Sequence, residues 1–172
     1  MGEISGKIAI VTGAGHGIGL AIVKALLREK VRVLATSRRL EALKDMEGKN
    51  LLLTPADLLD DNSFDRIVSD CVAAYGGVDI VINNAGYGKK MLLVDTSKEE
   101  WDRHMAINVR APFMLVNAAM PYLLESDYAT VINICSVVAH AGYPCQSGYT
   151  TAKHALLGFT KSLAREYYRQ NI

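Results

Sequence analysis

The chain has 172 residues, half of them hydrophobic and 22% charged, with a formal net charge of +1 at pH 7. This size predicts one domain with a sizeable core, and this composition is ordinary for a globular protein. No run of Lys and Arg exceeds two residues, which argues against nucleic-acid binding. No apolar run approaches the ~20 residues of a membrane span, and the N-terminus lacks a signal-peptide pattern. We therefore expect a cytoplasmic protein that binds neither nucleic acid nor membrane.

The cysteines and histidines do not indicate a metal site. Cys71, Cys135 and Cys145 are odd in number and lack the spacing of a metal or redox motif, so we expect reduced thiols. The four histidines likewise lack ligand spacing such as His-Glu-x-x-His. The sequence therefore predicts no metal.

A strand, a glycine-rich turn and a helix open the chain. Lys7–Thr12 is a short apolar segment typical of a buried strand, and Leu20–Glu29 has the periodicity of an amphipathic helix. The glycines between them can form a tight bend and let backbone approach a phosphate, which the helix N-terminus would attract. Their spacing is Gly-x-x-x-Gly-x-Gly, and a glycine loop without function is the alternative. The predicted cofactor contacts here are Gly13, Gly15, His16, Gly17, Ile18 and Gly19.

The residues after the second predicted strand, Val31–Thr36, indicate which nucleotide binds. An NAD site usually has an acidic residue there, which binds the ribose 2′-hydroxyl. Here the chain reads Ser37-Arg38-Arg39, and the first acidic residue is Glu41, within the next predicted helix. Arg can bind a 2′-phosphate in a bidentate manner. The sequence therefore favours NADP(H) over NAD(H), with Ser37 and Arg38 at the phosphate, unless the arginines are only solvated.

Apolar periodicity predicts three further helices. Asn62 or Ser63 is expected to cap the first of them, and Ser97-Lys-Glu-Glu100 is a capping box at the start of the second. A lone Asn108 lies inside the second helix, and its surroundings in sequence do not indicate its role. The predicted bounds are Asp61–Tyr75, Glu100 to about Leu124, and Tyr149 to about Arg169.

Polar or small residues follow each of the remaining predicted strands. Asp57-Leu58 follows the third strand, Asn83–Gly86 ends the fourth, and Cys135-Ser136 follows the fifth. The alternation of strands and helices predicts an α/β fold, a Rossmann-type doubly wound parallel sheet with helices on both faces, in three layers. The strand carboxyl ends meet at one edge of such a sheet, where the ligand binds. The three strands are Asn50–Thr54, Val78–Ile82 and Thr130–Ile134.

Tyr149 and Lys153 stand four residues apart at the start of the last predicted helix, which puts both side chains on one face. An ammonium close to a phenol favours the phenolate, and such a phenol can give or take a proton at a reacting oxygen. Ser136, thirteen residues upstream, could face the same point. Such a Tyr-Lys pair also arises by chance, so its meaning depends on the rest of the chain.

Together these motifs resemble those of the short-chain dehydrogenase/reductase family. The matching residues keep the family's order and spacing along the chain: Thr12–Gly19, Asp57-Leu58, Asn83–Gly86, Asn108, and Ser136 with Tyr149-x-x-x-Lys153. The resemblance implies an enzyme, an NAD(P)-dependent oxidoreductase that interconverts a carbonyl and an alcohol on a small-molecule substrate. It also implies a homodimer or homotetramer, because family members pack the helices that hold Asn108 and Tyr149 against their copies in a partner.

The resemblance also assigns roles to single residues. Tyr149 is expected to be the general acid in reduction and the base in oxidation, assisted by Lys153, which would also hold the nicotinamide ribose hydroxyls. Ser136 would hydrogen-bond the substrate carbonyl, and Asn108 would hold a water in a proton relay to Lys153. Arg38 fits the basic residue that NADP(H)-preferring members carry after the second strand, while His16 only partly matches the one in the glycine turn. Further cofactor contacts are expected at Asp57, Leu58, Asn84, Ala85 and Gly86.

Family members usually continue with a sixth strand, a substrate-covering loop and a seventh strand. We therefore expect residues 1–172 to form a single NAD(P)-binding Rossmann domain, truncated before those strands. A non-catalytic NADP(H)-binding or scaffold protein is the main alternative function. A sugar-nucleotide epimerase or dehydratase would usually have Gly-x-x-Gly-x-x-Gly in its turn, which this chain lacks.

Overall fold

A computed structural model describes residues 4–172, which form one parallel sheet flanked by helices. The strands are β1 (Ile8–Thr12), β2 (Arg32–Ser37), β3 (Leu51–Pro55), β4 (Ile80–Asn83) and β5 (Thr130–Asn133). The helices are α1 (Gly17–Arg28), α2 (Asn62–Tyr75), α3 (Lys98–Met105), α4 (Ala111–Glu125) and α5 (Ser147–Glu166). The strand order is β3-β2-β1-β4-β5, and every pairing is parallel. The predicted Rossmann-type fold is confirmed.

Both faces of the sheet are covered, which explains why its strands are apolar almost without a break. Ile8 and Ile10 of β1 point to one face, where they join a cluster with residues of α2, α4 and α5. Ala9 and Val11 point to the other face and pack with α1 and a short 3₁₀ helix, Glu41–Met46. Of the helices in the described part of the chain, none combines the length and apolarity needed to span a bilayer.

The helix starts differ from those predicted by one to three residues, and α5, for example, begins at Ser147 rather than Tyr149. The helix after the glycine turn begins at Gly17, so the last glycines of the turn are its first residues. Neither candidate cap of α2 has that role, because the Asn62 N–H donates to the Asp60 carboxylate and the Ser63 hydroxyl donates to the Asp57 carbonyl oxygen. Periodicity does not show such local bonds. The helix after β2 also proves to be 3₁₀ rather than α.

The long helix predicted from Glu100 to about Leu124 contains a π-helical turn, Ala106–Arg110, between α3 and α4. The helix begins at Lys98 rather than Glu100, but the predicted cap is confirmed, because the Ser97 hydroxyl accepts a hydrogen bond from the Glu100 N–H at 3.2 Å. A π turn is wider than an α turn by one residue, and such turns often occur at functional sites. Asn108 lies inside this turn, which gives the lone amide a special place in the helix.

Candidate active site

A cleft of about 600 Å³ opens at the carboxyl edge of the sheet, where the segments after all five strands converge as predicted. Most of the predicted site residues line it: Gly13, His16, Ile18, Ser37, Arg38, Asp57, Leu58, Asn84, Ala85, Gly86, Tyr149 and Lys153. Gly15, Gly17, Gly19, Asn108 and Ser136 do not line it. Five Lys and Arg side chains line the cleft against a single carboxylate, Asp57, so its charge suits a polyanionic ligand.

The glycine turn leaves room for a phosphate at Gly17. Gly17 has φ +56°, and a Cβ atom there would meet no atom within 4 Å. Helix α1 begins at this residue without a side-chain cap, and the N–H groups of a first helical turn have no acceptor within the helix. This geometry fits the pyrophosphate of a dinucleotide.

The other glycines of the turn are needed for packing. A Cβ at Gly13, which has φ +64°, would lie 2.8 Å from Cα of Ala85. Side chains at Gly15 and Gly19 would overlap the carbonyl oxygens of Arg39 and Gly13 respectively. Gly19 therefore packs against the turn itself. Any substituent would push the turn apart.

Thr12 and Asn84 join the glycine turn to the end of β4. The Thr12 hydroxyl accepts hydrogen bonds from the N–H groups of Asn84 (3.1 Å) and Ala85 (3.0 Å). In return, the Asn84 side-chain amide donates to the carbonyl oxygens of Thr12 (3.0 Å) and Gly13 (3.2 Å). This role of the Thr12 hydroxyl was not predicted from the sequence. A Thr at the end of a buried strand is the feature of the sequence that could have indicated it, but the partners of Thr12 lie more than 70 positions away.

The neighbouring Asn83 has a purely internal role. Its side-chain amide donates to Asn133 on β5 at 2.9 Å, and Asn133 donates in turn to the Thr160 hydroxyl on α5, also at 2.9 Å. This chain of amides fixes α5, the helix that carries Tyr149, relative to the two last strands.

Within residues 4–172, Arg38 forms no ion pair, so its guanidinium can meet a ligand phosphate.

Tyr149 and Lys153 lie side by side on α5. The Lys153 Nζ is 5.8 Å from the centre of the Tyr149 ring and donates a 2.8 Å hydrogen bond to the Ile134 carbonyl oxygen at the end of β5. Lys153 is only 4% exposed. Burial lowers the pKa of Lys153, and the nearby Cys135 acts in the opposite direction. One ammonium hydrogen is used by Ile134, which leaves two for other partners.

Ser136 lies just outside the cleft lining, although Ile134 and Cys135 before it are part of the lining. It begins a short 3₁₀ helix, Val137–Ala139, and its hydroxyl accepts a long hydrogen bond (3.4 Å) from the Val138 N–H. The hydroxyl hydrogen is still able to donate to another oxygen.

Asn108 is fully buried, and its amide holds the segment between β4 and α3. Its Oδ1 accepts from the Tyr87 N–H at 3.1 Å, while its Nδ2 donates to the carbonyl oxygens of Tyr87 (2.7 Å) and His104 (2.9 Å). Both amide hydrogens are therefore occupied. The expected water relay from Asn108 to Lys153 stays a prediction, and it could not use those two hydrogens.

Other residues join the site without having been assigned to it from the sequence. Gly88, Lys90, Arg103 and Ile107 line the cleft in this way. Arg103 stands over the Tyr87 ring at 4.5 Å, and the Glu100 carboxylate binds both the Tyr87 hydroxyl (2.7 Å) and Lys89 (3.4 Å). These contacts depend on the pairing of α3 with the preceding segment, which no local pattern indicates.

Comparison with known proteins gives consistent matches. The model of the short chain dehydrogenase family matches residues 7–172. The chain is 36% identical to the 3-oxoacyl-[acyl-carrier-protein] reductase FabG of Escherichia coli K12, over 99% of this chain and 71% of that protein. It is 38% identical to the short-chain dehydrogenase/reductase FrzI of a Cladobotryum species, over 96% of this chain and 67% of that protein.

Solved structures show the same architecture. A short-chain dehydrogenase from Streptomyces avermitilis superposes with a TM-score of 0.90 at 30% identity, over 95% of this chain and 62% of that one. The apo form of LigO from Sphingobium superposes with a TM-score of 0.92 at 26% identity, over 100% of this chain and 67% of that one. The chain thus spans between 62% and 71% of the length of these four proteins.

Proposed function

The chain belongs to the short-chain dehydrogenase family of oxidoreductases, and from this membership we propose that it interconverts a carbonyl and an alcohol with NADP(H) as the cofactor. One observation carries the proposal. Tyr149 and Lys153, a proton donor and a buried ammonium, line the same cleft as the glycine turn and Arg38. Proton transfer and dinucleotide binding can therefore take place in one site.

The cofactor would be held by backbone at its pyrophosphate and by side chains at its ends. The open space at Gly17 and the start of α1 suit the pyrophosphate, while Ser37 and Arg38 suit a 2′-phosphate. Asp57, Leu58 and the segment Asn84–Gly86 line the same cleft and would contact the rest of the nucleotide. When bound, the nicotinamide supplies or accepts the hydride.

The chain's own residues would handle the proton. In reduction the Tyr149 hydroxyl donates its proton to the carbonyl oxygen as negative charge develops there, and in oxidation the phenolate takes the proton back. The two free hydrogens of Lys153 can hold the ribose hydroxyls and stabilise the phenolate. Ser136 would need to turn its hydroxyl hydrogen towards the substrate oxygen, which its long bond to Val138 permits.

The names of the relatives suggest where to begin with substrates. One of them is a 3-oxoacyl-[acyl-carrier-protein] reductase, so a 3-oxoacyl thioester is the first compound to test. The experiment measures NADPH binding by fluorescence and turnover with a panel of ketones that includes this thioester. We expect wild-type protein to do both. Tyr149→Phe should bind NADPH normally and lose turnover, while wild-type-like turnover in this variant would contradict the assignment of the general acid.

A non-catalytic NADP(H)-binding protein is the second candidate, and the position of Ser136 outside the cleft lining favours it. The same experiment separates the two functions. Binding of NADPH without turnover of any compound in the panel would support the second candidate. Turnover that depends on Tyr149 would support the first.

The proposal includes a homodimer or homotetramer formed through the helical segment from α3 to α4, which holds Asn108, and through α5, which holds Tyr149. An apolar groove of about 640 Å³ is lined by Met105, Val109, Phe113 and Phe159, and Phe113 is half exposed. Large exposed apolar surfaces of this kind often mark interfaces. Light scattering should show an oligomer for wild-type protein and a monomer for Phe113→Asp, whereas an unchanged mass in the variant would contradict this interface.

We further propose that residues 1–172 act as a single nucleotide-binding domain in the cytoplasm. The three cysteines are free thiols, as is usual in a reducing compartment. Localisation of a tagged protein in cell fractions tests the cytoplasmic location.

A further inference from the structure

The Tyr149 ring lies directly against Gly88, in the segment between β4 and α3. A Cβ atom at Gly88 would lie 3.2 Å from Cδ2 and 3.4 Å from Cε2 of the ring. Because protein interiors are close-packed, the ring occupies the space that any larger residue would need. The backbone at Gly88 therefore limits how far the phenol can lean to this side.

Hydrogen bonds fix the residues on either side of Gly88 in the chain. The preceding residue, Tyr87, exchanges two hydrogen bonds with the buried Asn108 amide. The following residue, Lys89, donates its N–H to Nε2 of His104 at 3.2 Å. The surface on which the Tyr149 ring rests is thus fixed by two side chains from α3 and the π turn after it.

His104 is buried, and its hydrogen bonds define its protonation. Its Nδ1 lies 2.8 Å from the Glu100 carbonyl oxygen, which can only accept, so Nδ1 carries a hydrogen. Its Nε2 accepts from the Lys89 N–H and is therefore unprotonated. A neutral imidazole with one donor and one acceptor satisfies both partners. An apolar side chain of the same volume would leave the Lys89 N–H without its acceptor.

The same imidazole also packs against the start of α5. A Cβ atom at Gly148 would lie 3.2 Å from Nδ1 and 3.3 Å from Cγ of His104. Gly148 immediately precedes Tyr149 in the chain. One ring therefore contacts the neighbour of Tyr149 in α5 and the neighbour of Gly88 in the segment beneath it. The Tyr87 ring, 4.9 Å away and tilted by 56°, packs beside the imidazole.

We propose that His104 is a positioning residue for Tyr149. It sets the distance between the phenol and Gly88 by bonding to Lys89 on one side and packing against Gly148 on the other. The inference rests on the proposed function, in which Tyr149 transfers the proton. A misplacement of about 1 Å in a catalytic group can cost about 100-fold in rate, so a contact of this kind affects turnover without touching the substrate.

Two substitutions of His104 separate the hydrogen bond from the packing. His104→Phe keeps a ring of similar size but cannot accept the hydrogen bond from the Lys89 N–H. His104→Gln lacks the ring, but its side-chain oxygen can accept this bond. We expect His104→Phe to lower kcat about 10- to 100-fold, with KM for the substrate and Kd for NADPH within about twofold of wild type. His104→Gln should recover most of the lost kcat. Equal losses in both variants, or a wild-type kcat in His104→Phe, would overturn the proposal.

Gly88→Ala tests the same contact from the other side. The added methyl group should displace the Tyr149 ring by a few tenths of an ångström and lower kcat about 10-fold, with unchanged NADPH affinity. Gly77→Ala is the matched control, because a Cβ there meets no atom within 4 Å. If Gly88→Ala and Gly77→Ala behave alike, Gly88 does not support the ring.

A readout that needs no turnover keeps this inference separate from the proposed function. In ¹³C-tyrosine-labelled protein, the Tyr149 ring signal is identified by its absence from Tyr149→Phe. The chemical shift of this signal should change in His104→Phe and Gly88→Ala. It should be the same as in wild type in His104→Gln and Gly77→Ala. An unmoved signal in His104→Phe overturns the positioning role. Absence of wild-type turnover together with the expected shifts would count against the proposed function alone.

Discussion

The two ends of the cleft are built in different ways. At the nucleotide end, backbone packs against backbone, and a side chain at Gly15 or Gly19 would overlap a neighbouring carbonyl oxygen. On the Tyr149 side, the segments that follow the lining residues Lys90 and Cys135 carry exposed apolar side chains outside the lining, which we call the apolar rim: Leu93 (73% exposed), Val94 (88%) and Val137 (74%). A backbone hydrogen bond from Met91 to Cys145 ties the segment before Leu93 to the loop before α5.

This difference separates two tasks of the same site. A close-packed turn holds one kind of ligand, a dinucleotide, and tolerates little change, because any displaced backbone atom disturbs its partners. Exposed side chains on a rim can vary at small cost to the fold. We therefore expect substitutions at the nucleotide end to affect cofactor binding and stability together, and substitutions on the apolar rim to affect only the choice of substrate.

Gly19→Ala should have the largest effect. Its methyl group would overlap the Gly13 carbonyl oxygen and lie 2.5 Å from the Asn84 amide nitrogen, so the turn must open. We expect NADPH affinity to fall at least about 100-fold and stability to fall by about 1–3 kcal/mol. Gly48→Ala is the control, because its Cβ would meet no atom within 4 Å. Fluorescence titration and chemical unfolding measure both quantities, and wild-type affinity in Gly19→Ala would refute the tight packing.

Arg38→Asp should change which nucleotide binds. The carboxylate would repel a 2′-phosphate and could accept a hydrogen bond from a 2′-hydroxyl. We expect the ratio of kcat/KM for NADPH to that for NADH to fall about 100-fold. Arg39→Asp is a matched control, because Arg39 does not line the cleft. Equal effects of the two substitutions would mean that general charge, and not a phosphate contact, sets the preference.

Thr12→Val should have an intermediate effect. The substitution keeps the shape of the side chain but leaves the Ala85 N–H without its acceptor, while the Asn84 N–H keeps only its bond to the Ile82 carbonyl oxygen. Each unsatisfied group costs about 1–3 kcal/mol, so we expect a lower free energy of unfolding and weaker NADPH binding by about 10-fold. Thr12→Ser retains the oxygen and should stay within about 1 kcal/mol of wild type. A Val variant as stable as the Ser variant would show that these bonds contribute nothing.

Substitutions on the apolar rim should have the smallest effect. Leu93→Ser and Val94→Ser remove exposed side chains, and we expect changes below about 0.5 kcal/mol in stability and below about twofold in NADPH affinity. KM values should change for some members of a ketone panel and not for others. A large loss of stability in either variant would show that the rim is part of the packed structure. The two ends of the cleft would then not differ in how closely they are packed.

Local patterns were enough to predict the parallel sheet and the convergence of the strand ends. Glycine spacing, apolar strands and helical periodicity are properties of neighbouring residues, and the Tyr149–Lys153 pair follows from helix geometry alone. The π turn around Asn108 was not predictable in this way, because its residues have the same apolar periodicity as an uninterrupted helix.

The missed contacts within the site join residues from different segments of the chain. Thr12 meets Asn84, Lys89 meets His104, and Tyr87 meets Asn108, and each pair forms only once the segments around β4 are in place. A single buried His or Thr is usually a packing residue. Only the structure shows that these side chains hold the backbone that surrounds the glycine turn and Tyr149.

We propose that the cleft brings a bound dinucleotide next to a proton donor, Tyr149. The most direct test incubates the full chain with NADPH carrying deuterium at C4 and a 3-oxoacyl thioester or another reducible ketone. We predict deuterium on the carbinol carbon of the product, and none when Tyr149→Phe replaces the wild type. Tight NADPH binding without deuterium transfer to any ketone, or transfer that is equally fast in Tyr149→Phe, would contradict the account.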